Sequence, residues 1–154
     1  GLPMAIVLLK PELDKWKPGE HNGTFRGNNH AFVTATKAIE TYWADTRLEE
    51  HVDTCSKRVS HQIRTSLRAY PSLFVQRKGR GLMQGIECSS GEIAHKIAQE
   101  CFAKGMVIET AGPNDEVVKF FCPLTISVDE LEQGLTIFDQ AVASVAPHFI
   151  KKAS

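Results

Sequence analysis

The sequence predicts an α/β chain in two unequal parts. From residue 48 onward it reads as an α+β unit, a mainly antiparallel sheet flanked by helices; residues 1–47 read as the edge of a larger domain. Three observations carry this. Periodicity beyond residue 48 gives the order helix, strand, strand, helix, strand, strand, helix, which suits two packed layers. Glycine-bearing bends, Lys78-Gly79-Arg80-Gly81 and Ala111-Gly112-Pro113-Asn114-Asp115, join the strands of each pair. The leading part has one apolar run and one helical pattern, and nothing in it supplies the sheet neighbours that the run would need.

In order along the chain, Met4–Leu9 is a continuous apolar run, as in a strand covered on both faces. Lys10-Pro11-Glu12-Leu13-Asp14 breaks it, and a loop marked by Pro18-Gly19 follows. Phe32, Ala35, Ile39 and Trp43 recur at spacings of three and four, which predicts a helix from about Asn29 to Trp43. Leu48, Val52, Cys55, Val59, Ile63 and Leu67 give a second helical stripe, ended by Tyr70-Pro71 because the residue before proline avoids helical angles.

Leu73–Lys78 and Gly81–Cys88 read as strands. In the second, Met83, Gly85 and Glu87 share one face and Leu82, Gln84, Ile86 and Cys88 the other. A helix over Glu92–Lys104 carries Ile93, Ile97, Cys101 and Phe102, with Gly105 just past its end. Met106–Thr110 and Glu116–Cys122 are the last two strands. Ser127-Val128-Asp129-Glu130 is a capping box, and Leu131, Leu135, Phe138, Val142 and Val145 line the helix behind it. The stretch after Ala146 reads as a tail docked through Phe149 and Ile150.

The composition is that of one globular domain of 154 residues, 42% hydrophobic and 23% charged. Eighteen basic residues balance eighteen acidic ones, which argues against a broad nucleic-acid face. No apolar run approaches a membrane span. Cys55, Cys88, Cys101 and Cys122 form no C-x-x-C pair and read as reduced core thiols, pointing to a cytoplasmic setting. Gly1-Leu2-Pro3 enters an apolar strand with no initiator methionine or leader before it, so the sequence reads as a piece of a longer protein.

Most of the candidate chemistry sits in His21-Asn22-Gly23-Thr24-Phe25-Arg26-Gly27-Asn28-Asn29. Glycines allow close backbone approach, Thr24 adds a hydroxyl donor, and the helix that follows offers free N–H groups, the makings of a phosphate site. A plain strand-to-helix connection would look the same, and local chemistry leaves both open. Lys119 is a cation inside the apolar strand Val117–Cys122. It fits first an edge-strand lysine whose stem covers apolar surface, with a cation that binds a carboxylate as the alternative. Gly79-Arg80-Gly81-Leu82-Met83-Gln84-Gly85 is one residue too long for a dinucleotide fingerprint and leads into a strand, so it is a hairpin bend. His51 and Cys55 are four apart on a helix, but Cys55 lies on the apolar stripe and no third metal ligand is near in sequence. His21 fits a ligand contact or, as the simpler reading, a residue that orients the loop turn, and no nucleophile with a base is evident.

Taken together, these motifs resemble the C-terminal part of the class III aminotransferases, pyridoxal-phosphate enzymes of fold type I. Gly1-Leu2-Pro3-Met4-Ala5 resembles the strand after the cofactor lysine. His21 to Asn28 resembles the loop His-Gly-Ser/Thr-Thr-Phe/Tyr-Gly-Gly-Asn. Arg80 to Glu87 resembles the glycine-rich strand of the small domain, and Lys119 to Ile126 the Arg-Phe-x-Pro-Pro-Leu segment. The resemblance implies that 1–47 is the edge of the cofactor-binding domain with the start of the interdomain helix, and 48–154 the small domain. It also implies that Thr24, helped by backbone N–H groups around Gly23, binds the cofactor phosphate of a neighbouring subunit in a homodimer or higher oligomer.

The wording Gly-Glu-His-Asn-Gly-Thr-Phe-Arg-Gly-Asn-Asn resembles one branch of the family most. That branch moves an amino group from L-glutamate to L-aspartate 4-semialdehyde, giving L-2,4-diaminobutyrate and 2-oxoglutarate in ectoine biosynthesis. Two departures matter. The Schiff-base lysine is expected upstream of Gly1, so the chain alone is expected to be inactive. The family's carboxylate-binding arginine is Lys119 here, a point charge that cannot form a two-pronged pair, while Arg26 stands where most members have glycine. Arg26 is therefore the expected source of guanidinium chemistry for substrate, with Lys119 secondary. The competing readings are an ω-aminotransferase of the ornithine or 4-aminobutyrate type, and a free-standing α+β binding module.

Overall fold

The computed structural model describes residues 2–23 and 27–150 and divides into two compact units, Gly1–Arg47 and Leu48–Ser154. In the first unit, residues 2–10 take no helical or strand assignment and pair with no described strand. Ile6, Val7 and Leu8 are exposed, Leu8 to 91%. The strand expected at Met4–Leu9 is therefore not formed. A ladder needs a second backbone to hydrogen-bond with, and the described residues offer none there. A short 3-10 turn, Pro11–Leu13, follows. Helix α1, Asn29–Tyr42, starts where Asn28 caps it, its side chain accepting from Ala31 N at 3.1 Å. Trp43 closes the helix, its N–H donating to Ile39 O. On α1 Ala31 is buried, whereas Phe32 and Ile39, and Trp43 just past its end, are about half exposed.

The second unit opens on α2, Arg47–Ala69, whose buried stripe is Cys55, Val59, Ile63 and Ser66. Strands β1, Phe74–Arg80, and β2, Met83–Cys88, form an antiparallel hairpin in which Arg80 faces Met83. The two residues between them are Gly81 and Leu82. Gly81 has φ +58° and Leu82 is buried, so the first turn position needs a glycine and the second plugs the core. Helix α3, Gly91–Ala103, is capped by Ser90 and buries Ile93, Ala94, Ile97 and Cys101. Phe102, expected on that face, is 71% exposed; one residue past Cys101 it is turned about 100° off the stripe. Gly105, with φ +90°, ends the helix in a Schellman arrangement: its N–H donates to Phe102 O and Met106 N–H to Cys101 O.

Strands β3, Glu109–Ala111, and β4, Val117–Phe121, complete a four-stranded antiparallel sheet of order β1-β2-β4-β3. Strand β4 is thus internal, which corrects the edge-strand reading of Lys119. The capping box forms before α4, Val128–Ile150: Glu130 N donates to Ser127 Oγ at 3.2 Å and Ser127 N to Glu130 Oε2 at 3.1 Å. The expected tail is helical through Ile150. Pro147 lies inside the helix, where its fixed φ fits; buried Val145 and Ala146 and partly buried Phe149 hold this last turn.

The core lies between the helices and one sheet face. Ile86, Cys88, Val118 and Phe120 meet Cys55, Val59, Ile63, Ile97, Phe138 and Val142. Phe120 and Phe138 pack edge to face with centroids 4.9 Å apart. Gln84 points to the same buried face and is fully satisfied. Its Oε1 accepts from Ser60 Oγ and Arg77 Nη1, and its Nε2 donates to Ser56 O and Gly81 O. The other sheet face carries Gln76, Lys78, Met83, Glu87, Glu109, Lys119 and Phe121, with Met83 and Phe121 paired in register and both mostly exposed.

Candidate cofactor loop and substrate cation

In the first unit the loop of interest is held at both ends. Upstream, Lys17 N donates to Glu20 Oε2 at 2.8 Å, and Trp16 meets His21 edge to face with centroids 5.1 Å apart. That contact fits the orienting role expected of His21. Downstream, Gly27 has φ +79°, a left-handed turn into α1 with open space around its Cα, and Asn28 caps the helix. Gly23 is exposed. Thr24 and Arg26 lie outside the described residues. The described flanks suit a phosphate: an exposed glycine-bearing turn that leads into a helix N-terminus, with no acidic side chain from Asn22 to Asn29.

In the second unit Lys119 sits mid-strand on the open sheet face. Its Nζ lies 2.8 Å from Glu109 Oε2, directly across the β3–β4 ladder, and 5.5 Å from the Phe121 ring centroid. The Lys119 ammonium, donating a hydrogen bond, holds the Glu109 carboxyl below its ordinary range. Opposite Lys119 on the other side is Gly85, where a Cβ would come within 2.6 Å of Val117 Cγ1. A mainly apolar cavity of about 580 Å³ opens beside the cation, lined among others by Met106, Ile108, Phe120, Pro123 and Leu135. Lys119 therefore already has one carboxylate partner, and a substrate carboxylate would have to share or displace it. Sequence reasoning missed Glu109, which stands at the end of the apolar run Met106-Val107-Ile108; only the strand register reveals its pairing.

The remaining candidates are structural. His51 Nε2 lies 2.8 Å from Ile126 O, tying α2 to the turn before α4, and 3.5 Å from Cys55 Sγ. A ring nitrogen that donates to a carbonyl is not available to a metal. All four cysteines are free thiols. Burial pushes Cys88 up to about 12 and Cys101 up to about 11, which keeps both protonated and unreactive. Among the described residues no helix is long and apolar enough to cross a membrane.

The profile of the family Aminotransferase class-III matches residues 1–142. The chain belongs to the class III aminotransferases, and its fold is theirs. It is 64% identical over 154 residues to a diaminobutyrate–2-oxoglutarate transaminase of Vibrio parahaemolyticus, covering 100% of this chain and 37% of that protein. It is 48% identical over 145 residues to a protein of the same name from Halalkalibacterium halodurans, covering 94% of this chain and 34% of the relative. An acetylornithine aminotransferase from Elizabethkingia anophelis shares the fold with a TM-score of 0.72 at 21% identity, over 86% of this chain and 34% of that one. The chain thus spans little more than a third of the length of the curated relatives it matches.

Proposed function

We propose that this chain is the C-terminal part of a pyridoxal-phosphate-dependent aminotransferase. In the longer protein an amino group passes from L-glutamate to L-aspartate 4-semialdehyde, giving L-2,4-diaminobutyrate and 2-oxoglutarate, the ectoine-pathway reaction. The observation that carries this reading is the 64% identity to a diaminobutyrate–2-oxoglutarate transaminase along the whole chain. On it, 1–47 is the edge of the cofactor-binding domain and 48–154 the small domain. The active site is shared in a homodimer or larger oligomer, and the protein works in the cytoplasm.

Pyridoxal phosphate, when bound, supplies an electron sink for deprotonation at the substrate α-carbon. The work of this chain is to bind and orient. The Thr24 hydroxyl, with N–H groups around Gly23, holds the cofactor phosphate of the partner subunit. Arg26 offers a planar guanidinium to a substrate carboxylate, matching it in two-pronged fashion. Lys119 adds a point charge, tempered by Glu109. The supporting chemistry is the exposed glycine turn leading into α1, and a cation fixed at mid-strand beside an apolar cavity.

The test is made in the longer protein. A hydrogen bond to a charged group contributes about 1.5–3 kcal/mol, so Thr24→Ala is expected to weaken pyridoxal phosphate binding by about 10- to 150-fold. Unchanged affinity would remove the Thr24 assignment. Arg26→Gly is expected to raise KM for L-glutamate, and wild-type kinetics in that variant would remove the Arg26 assignment.

A further inference from the structure

Both members of the Lys119–Glu109 pair line the cavity of about 580 Å³, and the β3–β4 ladder fixes them opposite each other. Their contact, Nζ to Oε2 at 2.8 Å, uses only part of what each group offers. An ammonium has about three donors and a carboxylate about four acceptor sites. Among the described residues no further polar side chain binds either group. The Lys78–Glu87 pair on the same sheet face differs on both counts. It lies outside the cavity lining, and Gln76 Nε2 donates to the same Glu87 oxygen that Lys78 meets. The other carboxylate in the lining, Glu130, is taken up by the Ser127 capping box.

We propose, resting on the function given above, that Glu109 is a specificity-determining residue that reads the α-ammonium of the amino-group acceptor. An amino acid carries its ammonium and carboxylate on one carbon, about as far apart as Lys119 Nζ and Glu109 Oε2. Laid antiparallel to the pair, its carboxylate meets Lys119 and its ammonium meets Glu109. Opposite charges then alternate around a closed ring, and the protein pair need not open. L-aspartate 4-semialdehyde has such an end, and its reacting carbonyl is at the other end of the molecule.

L-glutamate is treated differently. Its α-ammonium is the group transferred, so it is held at the reacting centre. What remains for Lys119 is a carboxylate alone. The acceptor shares Lys119 with Glu109, whereas the donor has to displace Glu109. The semialdehyde derived from 4-aminobutyrate lacks only the α-ammonium and leaves Glu109 unanswered. A site built to bond a substrate N–H discriminates strongly against the analogue without it.

The test in the longer protein compares kcat/KM for L-aspartate 4-semialdehyde with kcat/KM for the semialdehyde derived from 4-aminobutyrate. Glu109→Gln is expected to lower that ratio by about 10- to 150-fold, the worth of one hydrogen bond between charged groups. Apparent Kd values for L-2,4-diaminobutyrate and 4-aminobutyrate, read from the absorbance of bound pyridoxal phosphate, are expected to lose their difference in the same way. An unchanged ratio in Glu109→Gln, or an equal loss with both acceptors, overturns the proposal while the proposed reaction stands. A wild-type protein that transfers no amino group to L-aspartate 4-semialdehyde overturns both.

Discussion

Lys119 and Glu109 face each other across the β3–β4 ladder, Nζ to Oε2 at 2.8 Å, on the sheet face that the helices leave open. The pair gives the second unit a cation whose charge is already partly answered. Glu109 is mostly exposed, so Glu109→Gln is expected to leave the urea midpoint of the chain within error. In the longer protein the same substitution is expected to lower KM for L-glutamate, because Lys119 loses its internal competitor. A raised KM would show that Glu109 orients substrate instead.

The same pair fixes a direction of pH dependence. The Glu109 carboxyl is held below its ordinary value by Lys119, so the pair is intact above the ordinary glutamate range. As pH falls through the lowered value the carboxyl protonates and the contribution is lost. Chemical shifts of the Glu109 carboxyl, followed by acid titration, are expected to show a midpoint below the ordinary glutamate value, and a midpoint at or above it would contradict the pairing.

Gln84 is only 2% exposed and uses both ends of its amide on four partners from α2 and the β1–β2 hairpin. Gln84→Leu roughly keeps the volume and leaves the Gly81 carbonyl and the Ser60 hydroxyl without this partner. Leaving a buried group unsatisfied costs about 1–3 kcal/mol, and denaturant unfolding of the variant is expected to show a loss of that size.

Ser127 caps α4 and shares a reciprocal box with Glu130, whose carboxyl is lowered by hydrogen bonds from the Ser127 hydroxyl and then its backbone N–H. Ser127→Ala is expected to cost about 0.5–2 kcal/mol in thermal or urea unfolding near neutral pH. The difference between wild type and variant should shrink on acidification, because the Glu130 half of the box disappears as that carboxyl protonates.

Phe138 is fully buried and meets Phe120 edge to face across the helix–sheet boundary. Phe138→Ala is expected to destabilise by about 3–5 kcal/mol, measured by urea unfolding, from lost transfer energy and the cavity left behind.

Burial within the second unit was legible because periodicity reports burial directly. The Cys55, Val59, Ile63 stripe, the alternation of Gln84, Ile86 and Cys88, and the Ser127–Glu130 box can all be seen in the sequence and all occur in the fold. What was not legible depends on neighbours distant in the chain. Met4–Leu9 has strand composition but no described ladder partner, and composition alone cannot say whether one is present. Lys119 reads as an edge residue until the order β1-β2-β4-β3 places its strand inside the sheet, and Glu109 gains its role only from that register. The turn through Pro147 reads as a tail because proline breaks the pattern, whereas Val145, Ala146 and Phe149 hold it helical. In the candidate site, the loop flanks and Lys119 were legible as chemistry. Thr24 and Arg26 lie outside the described residues and rest on the family resemblance.

The central claim is the substrate pair, and steady-state kinetics of the longer protein with pyridoxal phosphate test it most directly. L-glutamate is the donor, and L-aspartate 4-semialdehyde is compared with the semialdehydes derived from ornithine and 4-aminobutyrate. The account predicts formation of L-2,4-diaminobutyrate with the highest kcat/KM for the aspartate semialdehyde. A higher kcat/KM for either of the other two, or no amino transfer to the aspartate semialdehyde, would contradict it.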